Sequence, residues 1–105
     1  MPVLLIAEAD LHEEAYAEIA DKMTPLIRQV KGLICHACRP DPTGGWRVVE
    51  IWESEEDGRN WFDHNIMPNL PLGVVPKHAF YPLRTAVTKW VITHASPGLG
   101  RFRPQ

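Results

Sequence analysis

The stretch from the Gly44-Gly45 turn to Pro68 constrains the fold more than any other part of the chain. From Trp46 to Glu53, β-branched and aromatic residues alternate with charges, which is the period of a strand whose two faces are used differently. The pattern stops at Ser54. A hydroxyl in N-cap position is followed there by Glu55, Glu56 and Asp57, carboxylates placed where the free N–H groups of a first helical turn attract negative charge. Strand and helix are joined with almost no slack, so Trp46, Trp52 and Trp61 fall close together and can meet across the strand–helix layer. That layer is the candidate pocket.

The flanking segments complete the order of elements. Pro2 to Asp10 is an apolar run fading into alternation, which predicts a first strand in a central position. Asp10 is placed to cap the next helix with Glu13 as its capping-box partner, and Ala15, Tyr16, Ile19, Met23, Ile27 and Val30 recur at helical spacing. This first helix is expected to reach about Lys31, to kink near Met23-Thr24 because of Pro25 and to end at Gly32. Leu33 to Arg39 predicts a second strand, joined to the third through the turn formers Pro40 to Gly45. The second helix is expected from Glu55 to about Met67, weakened by Gly58 and closed by Pro68. A fourth strand is expected from about His78 to Val91, interrupted or put at an edge by Pro82.

The order β-α-β-β-α-β is that of an α+β, ferredoxin-like domain, a four-stranded antiparallel sheet with two helices on one face. Its boundary is expected near residue 95, with 96–105 as a polar, Gly/Pro-rich, flexible C-terminal tail. The strands carry apolar residues at both parities: Leu4, Ile6, Ile34, Val49 and Ile51 need cover as much as Leu5, Leu33 and Val48. A second copy of the chain is the simplest cover, so a homodimer is expected.

Composition narrows the function. With 105 residues, a charge of −2 and dispersed Lys and Arg, the chain has room for one modest core and lacks the basic field that binds nucleic acid. Its longest apolar run, Val3 to Ala7, is far below the roughly 18–20 residues of a membrane helix, and no signal-peptide pattern opens the chain. A cytoplasmic protein is expected. Cys35 and Cys38 flank His36 in a CxxC-like spacing, but positions three apart on a strand face opposite ways and no second ligand pair exists. Two free, buried thiols and no metal are therefore expected. Nor is there a nucleophile elbow, phosphate-binding glycine loop or dinucleotide fingerprint, so no cofactor is expected.

Strand parity nominates the site. If Trp52 faces the helices, so do Trp46, Val48 and Glu50, and a carboxylate under apolar cover is desolvated, which suits a proton acceptor. His64 and Asn65 lie one turn from Trp61 and are expected to reach over the sheet toward Glu50, with His64 as proton shuttle. His78 starts the last strand near the pocket mouth, and Tyr81 offers a hydroxyl. His36, alternating away from Leu33 and Cys35, is expected on the opposite face, toward the dimer interface.

Gly32-Leu33-Ile34, the run Arg47-Val48-Val49-Glu50-Ile51-Trp52-Glu53-Ser54 and the segment His78-Ala79-Phe80-Tyr81-Pro82-Leu83 together resemble the antibiotic biosynthesis monooxygenase family over roughly residues 3–90. The resemblance implies a dimeric α+β barrel with a pocket between helices and sheet. It also implies a cofactor-independent monooxygenase-like activity on an aromatic or polyketide-type molecule such as an anthrone, phenol or quinol. Trp52 matches the pocket tryptophan of the anthrone oxygenases, whereas their pocket asparagine falls at Val48 and their helix-two tyrosine near Gly58. Trp61 stands where the haem-degrading relatives carry a tryptophan, but their strand-one asparagine falls at Ala9 and their axial histidine near Pro71. A cyclase or isomerase using the same pocket, and a non-catalytic ligand-binding protein, are the alternatives.

Overall fold

The computed structural model of the protein describes residues 1–42 and 44–87. Its elements are β1 (Val3–Ala9), α1 (Glu13–Ile27), β2 (Leu33–Pro40), β3 (Trp46–Trp52), α2 (Glu55–Trp61) and β4 (Lys77–Pro82). The four strands form one antiparallel sheet in the order β2-β3-β1-β4, the ferredoxin-like arrangement expected. β1 is central, and the two prolines that end strands, Pro40 and Pro82, lie on the edge strands, where a missing N–H costs no ladder bond.

The sheet is two-sided, as the alternation in β1 and β3 demands. Val3, Leu5, Ala7 and Trp52 are buried on the helix side together with Met23, Ile27, Trp61 and Phe62. Trp52 and Leu5, at 0% and 1% exposure, anchor this core. Burial of each such side chain contributes about 1.5–3 kcal/mol. Leu4, Ile6, Val49, Ile51 and Tyr81 share the other side, because Leu4 pairs with both Ile51 and Tyr81, and Ile6 with Val49. No described helix packs there.

Helix boundaries differ from the sequence expectation in instructive ways. Ser54 does cap α2, its Oγ accepting from the Asp57 N–H at 3.1 Å. Asp10 does not cap α1. Instead the Leu11 N–H turns back onto the Ala9 carbonyl and Leu11 is buried, so the helix begins only at Glu13, with His12 as an N-cap that makes no side-chain bond. α1 ends at Ile27 rather than Lys31, and contains Pro25. Pro68 does not close the second helix either. A π-helical turn, Phe62–Ile66, follows α2 directly and passes into a 3-10 turn, Met67–Asn69, that takes Pro68 in its first residues, where a proline's missing N–H is free anyway.

Gly58 lets α2 lie close on the sheet. A Cβ there would come within 2.8 Å of Phe80 Cε1 and 3.1 Å of the Trp52 indole, so the residue expected to weaken the helix is the one that seats it. Gly32, at φ 89°, turns the chain into β2 and accepts the Glu53 N–H at 2.8 Å. β4 ends at Pro82; its expected continuation to Val91 and the expected tail 96–105 extend past residue 87, outside the described residues.

Candidate functional site

An open cavity of ≈ 1380 Å³ lies between α1 and the helix-facing side of the sheet, with Trp61, Phe62 and Ile66 at its α2 end. The third strand supplies its floor as parity predicts: Trp46, Val48 and Glu50 all line it. Trp52 lies on the same face but fully buried beneath, where its Nε1–H donates to Glu50 Oε1 at 2.9 Å. Glu50 is itself 3% exposed. A carboxylate so placed needs partners, and it has two.

The second partner is His36, whose Nδ1 lies 2.7 Å from Glu50 Oε2. Simple alternation from Leu33 puts this histidine on the other face, and the structure corrects that reading. β2 carries a bulge: Leu33 pairs with Trp52 and Cys35 with Ile51, so two steps along β2 match one along β3. The extra residue inverts parity beyond it. His36 therefore stands opposite Glu50 and Cys38 opposite Val48, both on the helix-facing side. Cys35 stands opposite Ile51 on the other face, though it too borders the open cavity at this edge strand. Contrary to expectation neither thiol is buried, Cys35 being half-buried and Cys38 exposed, because β2 is an edge strand.

The polar chain runs on from His36. Cys38 follows two residues along β2 on the same side as His36, and its Sγ is 2.5 Å from the Tyr16 hydroxyl, brought over from α1. The Tyr16 ring stacks on Trp46 at 3.7 Å between centroids and 8° between planes, so an aromatic pair closes the line. Trp52, Glu50, His36, Cys38, Tyr16 and Trp46 thus form a connected row from the core to the cavity wall.

The charges follow from this row. Burial alone pulls His36 down, but the hydrogen bonds to Cys38 and Glu50 and the negative charge of both outweigh it, and the imidazole is pushed up to about 9. Burial raises the Cys38 thiol, yet the hydrogen bonds from His36 and Tyr16 and the imidazolium charge bring it below its ordinary value. Burial, then the contact with Cys38, pushes the Tyr16 phenol up, so its hydroxyl stays a donor.

The remaining nominated residues divide. Trp61 lines the cavity, 3% exposed, and its Nε1–H has no partner among the described residues. His64 is exposed, hydrogen-bonds the Asn60 carbonyl through Nδ1 at 2.9 Å and does not reach Glu50. The cause is the π-helical turn: the Met67 N–H bonds back to the Phe62 carbonyl five residues earlier, and the wider period brings Ile66 rather than His64 round to the core. Asn65 is half-buried outside the cavity lining, its carbonyl taken by the Asn69 amide at 2.7 Å. His78 faces the helix layer but stacks on Phe62, 4.5 Å between centroids, and Tyr81 points to the opposite face of the sheet, half exposed. Sequence reasoning missed His36, Cys38 and Tyr16 as a group. The available signal was the spacing of His36 and Cys38, two residues apart and so on one face wherever the strand's parity falls.

Among the described residues no group of three His, Cys, Asp or Glu is arranged to hold a metal ion, and no helix is long and apolar enough to cross a membrane. No family model matches the chain, and no curated protein matches it. Solved structures do. The chain is similar to SnoaB, a cofactor-independent oxygenase from Streptomyces nogalater, with a TM-score of 0.61 and 10% identity over 84% of this chain and 98% of that one. It is similar to a monooxygenase from the ActVA-Orf6 gene of Streptomyces coelicolor, solved with nanaomycin D, at TM-score 0.53 and 20% identity over 85% and 92%. A haem-degrading protein from Mycobacterium tuberculosis aligns at TM-score 0.53 and 18% identity, over 84% and 100%. At these identities the likeness is one of fold: the chain has the fold of antibiotic biosynthesis monooxygenase-type structures.

Proposed function

We propose that this protein is a cofactor-independent monooxygenase-like enzyme acting on an aromatic or polyketide-type molecule, such as an anthrone, phenol or quinol, bound between α1 and the sheet. The observation that carries the reading is the buried Glu50 held to His36 on the wall of a cavity lined by Trp46 and Trp61. Both Glu50 oxygens are occupied by donors, so Glu50 acts as a positioning residue and His36 as the group that meets the substrate. At neutral pH His36 carries a proton. An acidic O–H or C–H bound beside it gives up its proton to solvent more readily because the anion formed is paired with imidazolium among apolar walls. The electron-rich anion then reduces dioxygen directly; one oxygen atom ends on the ring carbon and the other leaves as water. Structural neighbours named as a cofactor-independent oxygenase and as a monooxygenase holding nanaomycin D support this choice of reaction and ligand class.

The apolar side of the sheet, with Leu4, Ile6, Val49 and Ile51, supports a homodimer formed through that face. The decisive assay is oxygen uptake in the presence of an anthrone or a quinol. Uptake with formation of the oxidised ring, reduced about tenfold or more in His36→Gln, is expected. Proton transfer without uptake, giving a cyclised or isomerised product, would select the cyclase or isomerase reading. Tight binding by tryptophan fluorescence with neither product would leave a ligand-binding protein.

A further inference from the structure

We propose that Cys38 is a nucleophile which adds reversibly to planar conjugated enones and quinones bound in the cavity. The inference goes beyond oxygenation and does not depend on it. It starts from the bulge in β2, which distinguishes the two thiols: both border the cavity, but Cys38 shares the helix-facing side with His36 and Glu50, and Cys35 stands on the opposite face of the strand. Cys38 then follows a buried carboxylate, Glu50, that fixes an imidazole, His36, two residues away on the same side of β2 as the thiol. That is the order of orienting group, base and nucleophile used wherever a side chain attacks a carbon electrophile. Cys38 remains exposed to the cavity it lines, so an incoming molecule can reach the sulfur. The thiol is also held below its ordinary ionisation range, which increases the fraction of attacking thiolate.

Two further observations select the electrophile. The Tyr16 hydroxyl is 2.5 Å from Cys38 Sγ and its ring stacks on Trp46, so a proton donor and a flat aromatic wall stand beside the nucleophile. The same cavity is lined by Trp61, 3% exposed, whose indole N–H lacks an acceptor among the described residues. A buried donor without a partner costs about 1–3 kcal/mol, and a ligand carbonyl oxygen would supply the missing acceptor. A flat ring bearing a carbonyl conjugated to a carbon–carbon double bond has the features that the wall, the donor and the sulfur each call for.

The step balances without an added oxidant or reductant. The sulfur attacks as the thiolate, its proton already held by the His36 imidazolium; the sulfur–carbon bond forms at the β-carbon, and the carbon–carbon π pair moves through the conjugated system to the carbonyl oxygen. That oxygen takes a proton directly from the imidazolium, or from Tyr16, which the imidazolium then reprotonates. A quinone becomes a hydroquinone thioether and an enone becomes a saturated thioether; reversal expels the sulfur and restores the double bond.

The test uses the full chain, 1,4-naphthoquinone as probe, an anaerobic buffer, and intact-mass and peptide-mass readouts. One adduct located on Cys38 is expected, retained in Cys35→Ser and lost in Cys38→Ser. In His36→Gln the rate at neutral pH should fall about tenfold or more, and the deficit should shrink as pH rises into the ordinary thiol range, since each unit of lost thiol acidity removes about tenfold of the thiolate. Should a variant fail to fold, the pH profile of iodoacetamide labelling at Cys38 in the unaltered chain carries the test, with an inflection below the ordinary thiol value expected. Equal labelling of both cysteines, or a His36→Gln profile superimposable on that of the unaltered chain, overturns the proposal. Because oxygen is excluded and mass is the readout, this outcome is separate from the oxygen-uptake assay above.

Discussion

His36 and Glu50 stand directly opposite each other across the β2–β3 ladder, Nδ1 to Oε2 at 2.7 Å, with the carboxylate buried and the imidazole about a third exposed to the cavity. The pair joins the core to the cavity surface. It also makes the site's behaviour depend on pH in a direction that can be worked out.

The His36 imidazole titrates at 6.5 when free and at about 9 in the folded chain. A raised value means that the folded state holds this proton more tightly. Its stabilising contribution is therefore complete below pH 6.5 and is lost as pH rises through about 9. An NMR titration of the His36 ring should show its midpoint near 9, and Glu50→Gln should move it toward 6.5. A midpoint unmoved by that substitution would mean the pairing is not what holds the proton.

Trp52→Phe keeps most of the buried ring volume but deletes the N–H that serves Glu50 Oε1. One oxygen of a nearly inaccessible carboxylate is then left without its donor, which costs about 1–3 kcal/mol beyond any change in packing. Urea denaturation should reveal this loss, and it should be smaller when Glu50 is already glutamine, because the two changes act on one interaction.

Gly58→Ala places a methyl carbon against Phe80 and Trp52, closer to Phe80 than ordinary contacts allow. Although alanine is the better helix former, α2 must lift from the sheet or Trp52 must shift, and a net loss of about 1–3 kcal/mol is expected. A thermal midpoint raised by the alanine would show that helix propensity outweighs contact here.

Ile51→Lys introduces a charge on the side of the sheet that carries Leu4, Ile6 and Val49. If two chains cover these faces mutually, the charge is buried in the interface and the dimer should dissociate, which light scattering at micromolar concentration would detect as a halved mass. A single mass shared by both forms would remove this face as the interface.

Much of the fold was legible because it follows from periodicity and punctuation. Period two from Trp46 to Trp52 put Glu50 and Trp52 on one face, and Ser54 with its three carboxylates marked the next helix start. The apolar residues at both parities of β1 likewise called for a central strand with two covered sides. Those signals are local, and the forces behind them act within a few residues.

The site was less legible because single-residue changes of register decide it. One extra residue in β2 near Ile34 turned His36 and Cys38 toward Glu50, and one wider helical turn after Trp61 turned His64 away. A bulge or a π turn leaves almost no mark in composition or spacing, since its cost is small locally and is balanced by what the displaced side chains meet elsewhere. Here those partners are the buried Glu50, 14 residues from His36, and Tyr16, 22 residues from Cys38. The amino-acid order determined which elements form and which face of β3 lies inward; only the assembled sheet and helices, by offering distant partners to otherwise unpaired polar groups, decided which histidine enters the cavity.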